Sequence, residues 1–379
     1  MSITLKSVAE VEVKGKYVLL RTSLNVPIDE GMVSDLYRLK RAFMTIEHLA
    51  ARGAKIILVG YIGREGATLE PVARALQLIA PNIPIAFTTT SVSRVADEVK
   101  KIPEGTCLML ENIRQNPGEE KNDPEFAKQL ASLADIFVDD AFAEAHRAYA
   151  SNVGVAALLP SYAGILLQEE VSKLEEALVP PRHSLAIVGG AKFETKQPLL
   201  EKLLQTYPTI LLGGALANDL LKARGTTVGI SLLSDAPVPE VIAGDERILI
   251  PDDLRVSLGV ESRASNTADV RHDERIVDIG PQTEIHWKKL VEEADFVLWN
   301  GPMGIYEKGF MVGTDALAEA LVDSKGKAVI GGGDTAAALA KFDFDDTRIF
   351  VSTGGGAMLE FLANGGSLPT LEVLKVSQE

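Results

Sequence analysis

Short apolar segments alternate with helical patterns along this 379-residue sequence, and the alternation restricts the possible fold more than any other feature. Many intervening stretches carry apolar residues at helical spacing, as in 35–52 and 313–322. Continuous apolar strands separated by helices indicate parallel sheets covered on both faces, so the predicted fold class is α/β. The expected strands lie in residues 17–21, 55–60, 106–110, 135–139, 184–190, 209–214, 247–251, 295–301, 327–333 and 348–354.

The residues after these strands differ between the two halves of the chain, and ligands of parallel sheets bind beyond the carboxyl ends of the strands. In the first half the strand ends carry Arg21, Asn25, Tyr61, Arg64, Arg114, Asp139, Asp140, His146 and Arg147. In the second half they carry glycine runs at 189–190, 213–214, 331–333 and 354–356. The chain is also long for one domain. Two α/β lobes with different chemistry are therefore predicted, connected by the helical stretch 165–177.

Composition excludes several classes of partner. The net charge of -15 and the pI near 4.9 argue against a nucleic-acid or anionic-membrane binder. Cys107 cannot form an internal disulfide, because it is the single cysteine. The N-terminus lacks the apolar core of a signal peptide, and the longest apolar stretch, 153–168, is interrupted by Pro160. A soluble cytoplasmic protein with no nucleic-acid or membrane partner is expected.

The glycine-rich half suggests a nucleotide site, because glycine turns before helices let backbone amides approach phosphate. No stretch matches a Walker A loop. Residues 331–336, GGGDTA, formally match a dinucleotide fingerprint, but the next strand ends in VSTGGG and not in an acidic residue. A dehydrogenase is thus disfavoured and a nucleoside triphosphate site with a metal is favoured. Asp334 could reach magnesium, while Lys192 and Lys196, at helical spacing, would face the phosphates.

The arginines of the first half suggest a site for a small polyanion, since guanidinium groups bind carboxylate and phosphate bidentately. Arg21 ends its strand with no carboxylate beside it in the sequence, which raises the question of whether its charge is available to an anionic ligand. Ion pairing within the lobe is the alternative, and the nearby acids make it credible for Arg147. The arginines and their polar companions are Arg21, Arg38, Arg64, Arg114, Arg147, Asn25 and His146.

In their order, the motifs of both halves resemble the phosphoglycerate kinase family over nearly the whole chain. WNGPMG, GGGDTAA and STGGGA are the most specific of them. The motifs are RTSLNVP, GYIGR, LENIRQNPGEEKND, EFAKQLASLAD, DAFAEAHRAYAS, VGGAKFETK, LGGALAND, DIGPQT, WNGPMGIYE, GGGDTAAALAKF and STGGGAMLEFL.

The resemblance implies two Rossmann-like lobes, each a parallel sheet flanked by helices, joined by a helical hinge. The phosphoglycerate lobe would span 1–162, the connecting helix 163–180 and the nucleotide lobe 181–362, with the tail 363–379 returning to the first lobe. The implied reaction is phosphoryl transfer between 1,3-bisphosphoglycerate and ADP, with Mg2+ and with ATP or ADP as substrate. It would need lobe closure that excludes water. A monomer is the family expectation.

The resemblance also assigns roles to matching positions. The acid would be bound by Arg21, Ser23, Asn25, Arg38, Tyr61, Arg64, Arg114 and Arg147. The nucleotide would be bound by Gly190, Lys192, Lys196, Gly213, Gly214, Asn300, Glu307, Gly332, Gly333, Asp334 and Thr335. Catalytic roles would fall to Arg38, Lys192, Gly333 and Gly356, with Asp334 acting through magnesium and the 354–356 amides around the phosphates.

Departures from the family pattern concentrate in the acid-binding lobe. The family has Asp where Ser23 stands, His where Tyr61 stands, and Gly-Thr where Ala143-Glu144 stand. The family also has Asn where Asp139 stands and an aromatic residue where Gln115 stands. On the nucleotide side, Ala215 in place of a third glycine is a milder change. These leave open a kinase of the same fold acting on another phosphorylated acid, or a non-catalytic nucleotide-binding descendant. If the family substrate is correct, Ser23→Asp is expected to tighten the binding of 3-phosphoglycerate.

Overall fold

The structure is a computed structural model, and it describes residues 3–63, 66–259 and 261–376. The chain forms two compact units. One runs up to Ser172 and resumes at Ser367, and the other comprises Lys173–Gly366. None of the helices in the described ranges is long and apolar enough to cross a membrane.

The first unit is built on a parallel sheet of the order β5-β6-β4-β1-β7-β8. A short hairpin, β2-β3, accompanies it. The strands of this unit are β1 (Tyr17–Thr22), β2 (Ile28–Asp29), β3 (Met32–Val33), β4 (Lys55–Val59), β5 (Ile85–Thr88), β6 (Thr106–Leu110), β7 (Ile136–Asp140) and β8 (Ser161–Ala163). Its helices up to the boundary are α1 (Tyr37–Ala51), α2 (Glu70–Ile79), α3 (Ala96–Val99), α4 (Pro124–Ala131) and α5 (Ile165–Leu178), the last of which contains the boundary.

Both faces of this sheet are buried, which explains the continuous apolar composition of its strands. Leu20 of β1 belongs to one apolar cluster, together with Leu39 and Ile46 of α1. The adjacent Leu19 belongs to the opposite cluster, together with Phe126 of α4. Alternate residues of one strand therefore face helices on opposite sides, as expected for a parallel sheet.

The second unit contains a parallel sheet of the order β11-β10-β9-β15-β16-β17 and an antiparallel sheet of the order β13-β12-β14. Its strands are β9 (Ser184–Val188), β10 (Ile210–Leu212), β11 (Ile248–Leu249), β12 (Asp253–Leu258), β13 (Glu261–Asn266), β14 (Arg275–Ile279), β15 (Phe296–Asn300), β16 (Lys327–Gly331) and β17 (Ile349–Val351). Its helices are α6 (Phe193–Leu203), α7 (Gly214–Ala223), α8 (Glu240–Ala243), α9 (Pro281–Glu293), α10 (Val312–Asp323), α11 (Gly333–Leu339) and α12 (Gly356–Ala363).

The last helix, α13 (Pro369–Leu374), packs within the first unit. Thr370 donates its backbone N–H to the carbonyl of Ala145 at 3.1 Å, and its hydroxyl accepts a bond from Asn152 Nδ2 at 3.0 Å. Lys375 forms a β-bridge with Leu5. These contacts anchor the turn that follows β7.

The predicted α/β class is confirmed, and each predicted strand segment contains a strand. Sequence analysis did not identify β5, β8, the β2-β3 hairpin or the antiparallel sheet. The hairpin strands are only two residues long. Strand β13 is mostly exposed, so its sequence, ESRASN, lacks the apolar run that marks a buried strand.

Candidate active site

Arg21 lies at the carboxyl end of β1 and is 1% exposed. Its Nη1 is 3.3 Å from Glu144 Oε2, and its Nε donates to Ser151 Oγ at 2.8 Å. Arg21, which has no carboxylate beside it in the sequence, therefore has one in the folded unit. Sequence spacing could not identify the partner, because Glu144 is 123 residues away in the chain.

Further carboxylates surround this guanidinium group. Burial alone would lower the pKa of Arg21, but the charges of Asp139, Glu144 and Glu119 outweigh it and raise the pKa. Burial raises the pKa of Asp139 to about 6, and Arg21 partly opposes that shift. Glu119 accepts hydrogen bonds from both the amide and the hydroxyl of Ser151. Arg21 is thus held within an internal network of acids.

Ser23 belongs to the same network. Its hydroxyl donates to Glu144 Oε2 at 3.1 Å, and both side chains are buried. Glu144 is at the end of a 3-10 turn, Phe142–Glu144, directly after β7. The carboxylate that the family pattern places at position 23 is therefore present in this region, but Glu144 supplies it.

Two further arginines pack on aromatic rings nearby. The guanidinium carbon of Arg114 is 3.5 Å from the centroid of the Tyr61 ring, which is a cation–π geometry. Arg147 Nη1 donates to the hydroxyl of Tyr149 at 2.6 Å. Burial raises the pKa of Tyr61, and the charge of Glu144 adds to the shift, whereas Arg114, Arg21 and Arg147 oppose it. The predicted convergence of these arginines is therefore observed within the first unit.

Arg38 and Asn25 form a neighbouring pair. Arg38, on the first turn of α1, donates through Nη1 to the backbone carbonyl of Asn25. Asn25 Oδ1 accepts a bond from the amide of Gly63 at 3.0 Å, and the Gly63 carbonyl accepts one from Arg114 Nη1 at 2.9 Å. Gly63 thus links this pair to Arg114. The predicted site residue Arg64 lies outside the described residues.

In the second unit Gly190 and Gly214, from two of the glycine turns, border a cavity of about 530 Å³. Gly214, at the start of α7, has a φ of +62°, and a Cβ there would be 2.8 Å from the amide nitrogen of Gly190. The close approach of the two turns therefore requires glycine at 214. Among the lining residues are Gly190, Ala191, Gly214, Ala215, Asn218, Met303, Tyr306, Glu307 and Asp334. Gly213 is the N-cap of α7.

Polar side chains meet near Asp334, at the edge of this cavity. Lys196 donates to Asn300 Oδ1, and burial lowers the pKa of Lys196 to about 8, although Asp334 opposes the shift. Tyr306 donates its hydroxyl to Asp334 Oδ1 at 3.1 Å. Burial, followed by the bond to Asp334, raises the pKa of Tyr306 to about 12. Sequence analysis assigned no role to Tyr306, although it lies within the motif WNGPMGIYE.

The remaining predicted residues lie at helix starts or strand ends. Lys192 is exposed and is the N-cap of α6 with an extended backbone, so it does not share a helical face with Lys196 as predicted. Thr335 accepts through Oγ1 a bond from the amide of Gly301 at 2.7 Å. Gly332 is the N-cap of α11, which begins at Gly333, and α12 begins at Gly356.

The donors for a metal ion are sparse. Across the described ranges no group of three or more His, Cys, Asp or Glu side chains is arranged to hold a metal. Three carboxylates, Asp278, Glu307 and Asp334, line the cavity separately, and Asp334 is the one that follows the glycine turn at the start of α11. Such an arrangement suits Mg2+, which is often held by one or two carboxylates together with substrate phosphates and water.

Comparison with known proteins identifies the family of this chain. The family model for phosphoglycerate kinase matches residues 8–365. Phosphoglycerate kinase of Francisella philomiragia is 41% identical, with 98% of each chain covered, and that of Pelotomaculum thermopropionicum is 39% identical, with 97% of this chain and 98% of the relative covered. The structure of phosphoglycerate kinase from Coxiella burnetii superposes with a TM-score of 0.83 at 38% identity, and that from Pyrococcus horikoshii with 0.85 at 28%, each covering 98% of both chains. The chain belongs to the phosphoglycerate kinase family.

Proposed function

We propose that this protein catalyses the reversible, magnesium-dependent transfer of a phosphoryl group between 1,3-bisphosphoglycerate and ADP, which gives 3-phosphoglycerate and ATP. The arginines of the first unit bind the acid, and the glycine turns of the second unit bind the nucleotide. Lobe closure, a monomeric state and a cytoplasmic location stay predictions.

The observation that carries this proposal is the arrangement of Lys196, Asn300 and Asp334 beside the cavity of the second unit. A cation, an amide and a carboxylate meet there at the carboxyl ends of β15 and β16. Gly190 and Gly214, from two glycine turns of the same unit, border the cavity. This combination suits a nucleotide whose phosphates carry a magnesium ion.

The acceptor in this reaction is itself an anion, so no activated nucleophile is required. Catalysis then depends on positioning and on stabilising the charge of the transferred group. Lys192 suits this role, because its ammonium is exposed and makes no ion pair or side-chain hydrogen bond with any residue the structure describes. When bound beside Asp334, magnesium would neutralise phosphate charge. Arg38 would contribute the corresponding positive charge of the first unit.

The test is direct turnover. Purified protein with 3-phosphoglycerate, ATP and Mg2+ should form 1,3-bisphosphoglycerate, and chelation of Mg2+ should abolish the reaction. Tight binding of magnesium-nucleotide without turnover of any acid would instead indicate a non-catalytic descendant.

A kinase acting on another phosphorylated acid is the second candidate, and the position of Glu144 beside Arg21 favours considering it. The guanidinium group that should bind the acid already has an internal carboxylate partner. Turnover with a different phosphorylated acid, but not with 3-phosphoglycerate, would establish this alternative.

A further inference from the structure

Glu144 binds two residues of β1 and its following loop through one oxygen. Its Oε2 accepts a hydrogen bond from Ser23 Oγ at 3.1 Å and lies 3.3 Å from Arg21 Nη1. Arg21, Ser23 and Glu144 are together called the Glu144 cluster below, and each of them is at most 2% exposed.

The surrounding structure fixes the orientation of this cluster. Arg21 Nε donates to Ser151, whose hydroxyl donates in turn to Glu119. Ser151 lies in a π-helical turn, Ala150–Gly154, a feature often found at functional sites. On the other side, the carbonyl of Ala145 accepts the backbone N–H of Thr370. The Glu144 cluster is therefore held from both sides.

One donor and one acceptor of the Glu144 cluster have no partner. Arg21 Nη2 is buried without a hydrogen-bond partner in the described part of the chain. Glu144 Oε1 likewise accepts no hydrogen bond from any residue in the ranges described, since Arg21 and Ser23 both contact Oε2. An unsatisfied buried polar group costs about 1–3 kcal/mol. A ligand that accepts a hydrogen bond from Arg21 Nη2 would remove this cost, and Glu144 Oε1 offers the same ligand an additional acceptor.

The chemistry of the unpaired groups selects the ligand group. A hydroxyl both accepts and donates, so it can bind Arg21 Nη2 and Glu144 Oε1 together. A phosphate or carboxylate has only acceptors, and Glu144 would repel it. An ammonium group has only donors, and Arg21 would repel it.

We propose that Glu144 is a specificity-determining residue, whose Oε1 accepts a hydrogen bond from a hydroxyl of the phosphorylated acid while Arg21 Nη2 donates to the same hydroxyl oxygen. This inference rests on the proposed function and names the group of the substrate that is recognised, its hydroxyl.

The inference also reverses the expectation that Ser23→Asp tightens the binding of 3-phosphoglycerate. With Glu144 at 3.1 Å from Ser23 Oγ, a second carboxylate at position 23 would face a like charge and weaken binding.

The test compares 3-phosphoglycerate with 3-(phosphonooxy)propanoate, which lacks the hydroxyl, as substrates with ATP and Mg2+. The wild type should prefer 3-phosphoglycerate in kcat/KM. Glu144→Ala should lower this preference at least about tenfold, mainly through KM, because it removes the hydroxyl acceptor. Glu144→Gln keeps the size of the side chain and an acceptor oxygen, so it should lower the preference less.

Moving the carboxylate from position 144 to position 23 provides a second measurement, which compares single variants with a double variant. Ser23→Asp should lower kcat/KM for 3-phosphoglycerate in the wild-type background and raise it in Glu144→Thr, by about tenfold each way, since neighbouring residues couple strongly. Glu125→Gln is the matched control: Glu125 is an exposed glutamate of α4 paired with Lys128, and its loss should leave both substrates unaffected.

The outcomes separate the two levels of the proposal. Wild-type protein that turns over neither acid overturns both the proposed function and this inference. Wild-type turnover of 3-phosphoglycerate with an unchanged preference in Glu144→Ala overturns the inference alone. An equal loss of kcat/KM for both acids, with a lower melting temperature, would show that Glu144 is only a structural partner of Arg21.

Discussion

The strand ends of the two units use different chemistry. In the first unit, charged side chains bind one another, as Arg21 does with Glu144 and Ser151. In the second unit, backbone turns border the cavity, and an added Cβ at Gly214 would meet the backbone of Gly190. A site built from side chains can exchange a carboxylate between positions such as 23 and 144 without changing the fold. A site built from close backbone contacts tolerates much less, which explains why the departures from the family concentrate in the first unit.

Loss of the exposed ammonium of Lys192 should have the largest effect. Lys192→Ala is expected to lower kcat by roughly 10²–10³-fold, because in the proposed reaction its ammonium stabilises the charge of the transferred group. The effect should appear mainly in kcat, measured in the coupled assay with saturating ATP and 3-phosphoglycerate.

Lys202 supplies the control on the same helix, since it is half-buried and its ammonium donates to Gln205 Oε1 at 3.4 Å. Lys202→Ala should leave kcat unchanged. Near-normal turnover of Lys192→Ala would contradict the role given to this lysine.

The next largest effect should come from crowding of the backbone at Gly214. Gly214→Ala forces a φ of +62° on a residue with a side chain and brings its Cβ to 2.8 Å from Gly190 N. Strain of this kind costs about 1–3 kcal/mol, so KM for ATP should rise roughly ten- to hundredfold. Gly225→Ala is the comparison, because its φ is also positive, +86°, but no atom lies within 4 Å of a Cβ there and it does not line the cavity. Equal effects of the two substitutions would refute a steric origin.

Much of this contrast follows from the sequence. Continuous apolar runs predict the parallel strands, and the rule that ligands bind beyond strand ends predicts that Arg21, Tyr61 and Arg114 lie in one region. The contact between Ser23 and Glu144 could not be predicted, because it joins residues 121 positions apart. Neither periodicity nor spacing determines which side chain of the turn after β7 is directed toward β1. The exposed β13 was missed for a related reason, since its pairing leaves no apolar run.

Lys196 gives the second unit a pH dependence. Burial lowers its pKa to about 8, so the free protein loses this positive charge as the pH rises above that value. The kcat/KM for ATP should then fall by up to about tenfold per pH unit, since this parameter reports groups of the free enzyme. Lys196→Arg keeps its charge at every accessible pH and should remove this limb of the profile. A wild-type profile that is flat between pH 7.5 and 9.5 would contradict the assignment.

Asp140 should give the smallest effect, and it concerns the stability of the first unit. Burial raises its pKa to about 7, and its Oδ2 has no hydrogen-bond partner in the described ranges. A carboxyl group with a raised pKa stabilises the folded state at low pH, and this contribution is lost as the pH rises through about 7. Asp140→Asn removes the buried charge while its Oδ1 can still accept the bond from the amide of Leu167. The variant should therefore exceed the wild type in free energy of unfolding by about 1–3 kcal/mol at pH 8, with a smaller difference at pH 5. Urea unfolding at both pH values measures this difference.

Asp139→Asn should stabilise the folded state less than Asp140→Asn, because Asp139 also balances Arg21. A gain that is equal at both pH values would show that packing, and not charge, is responsible.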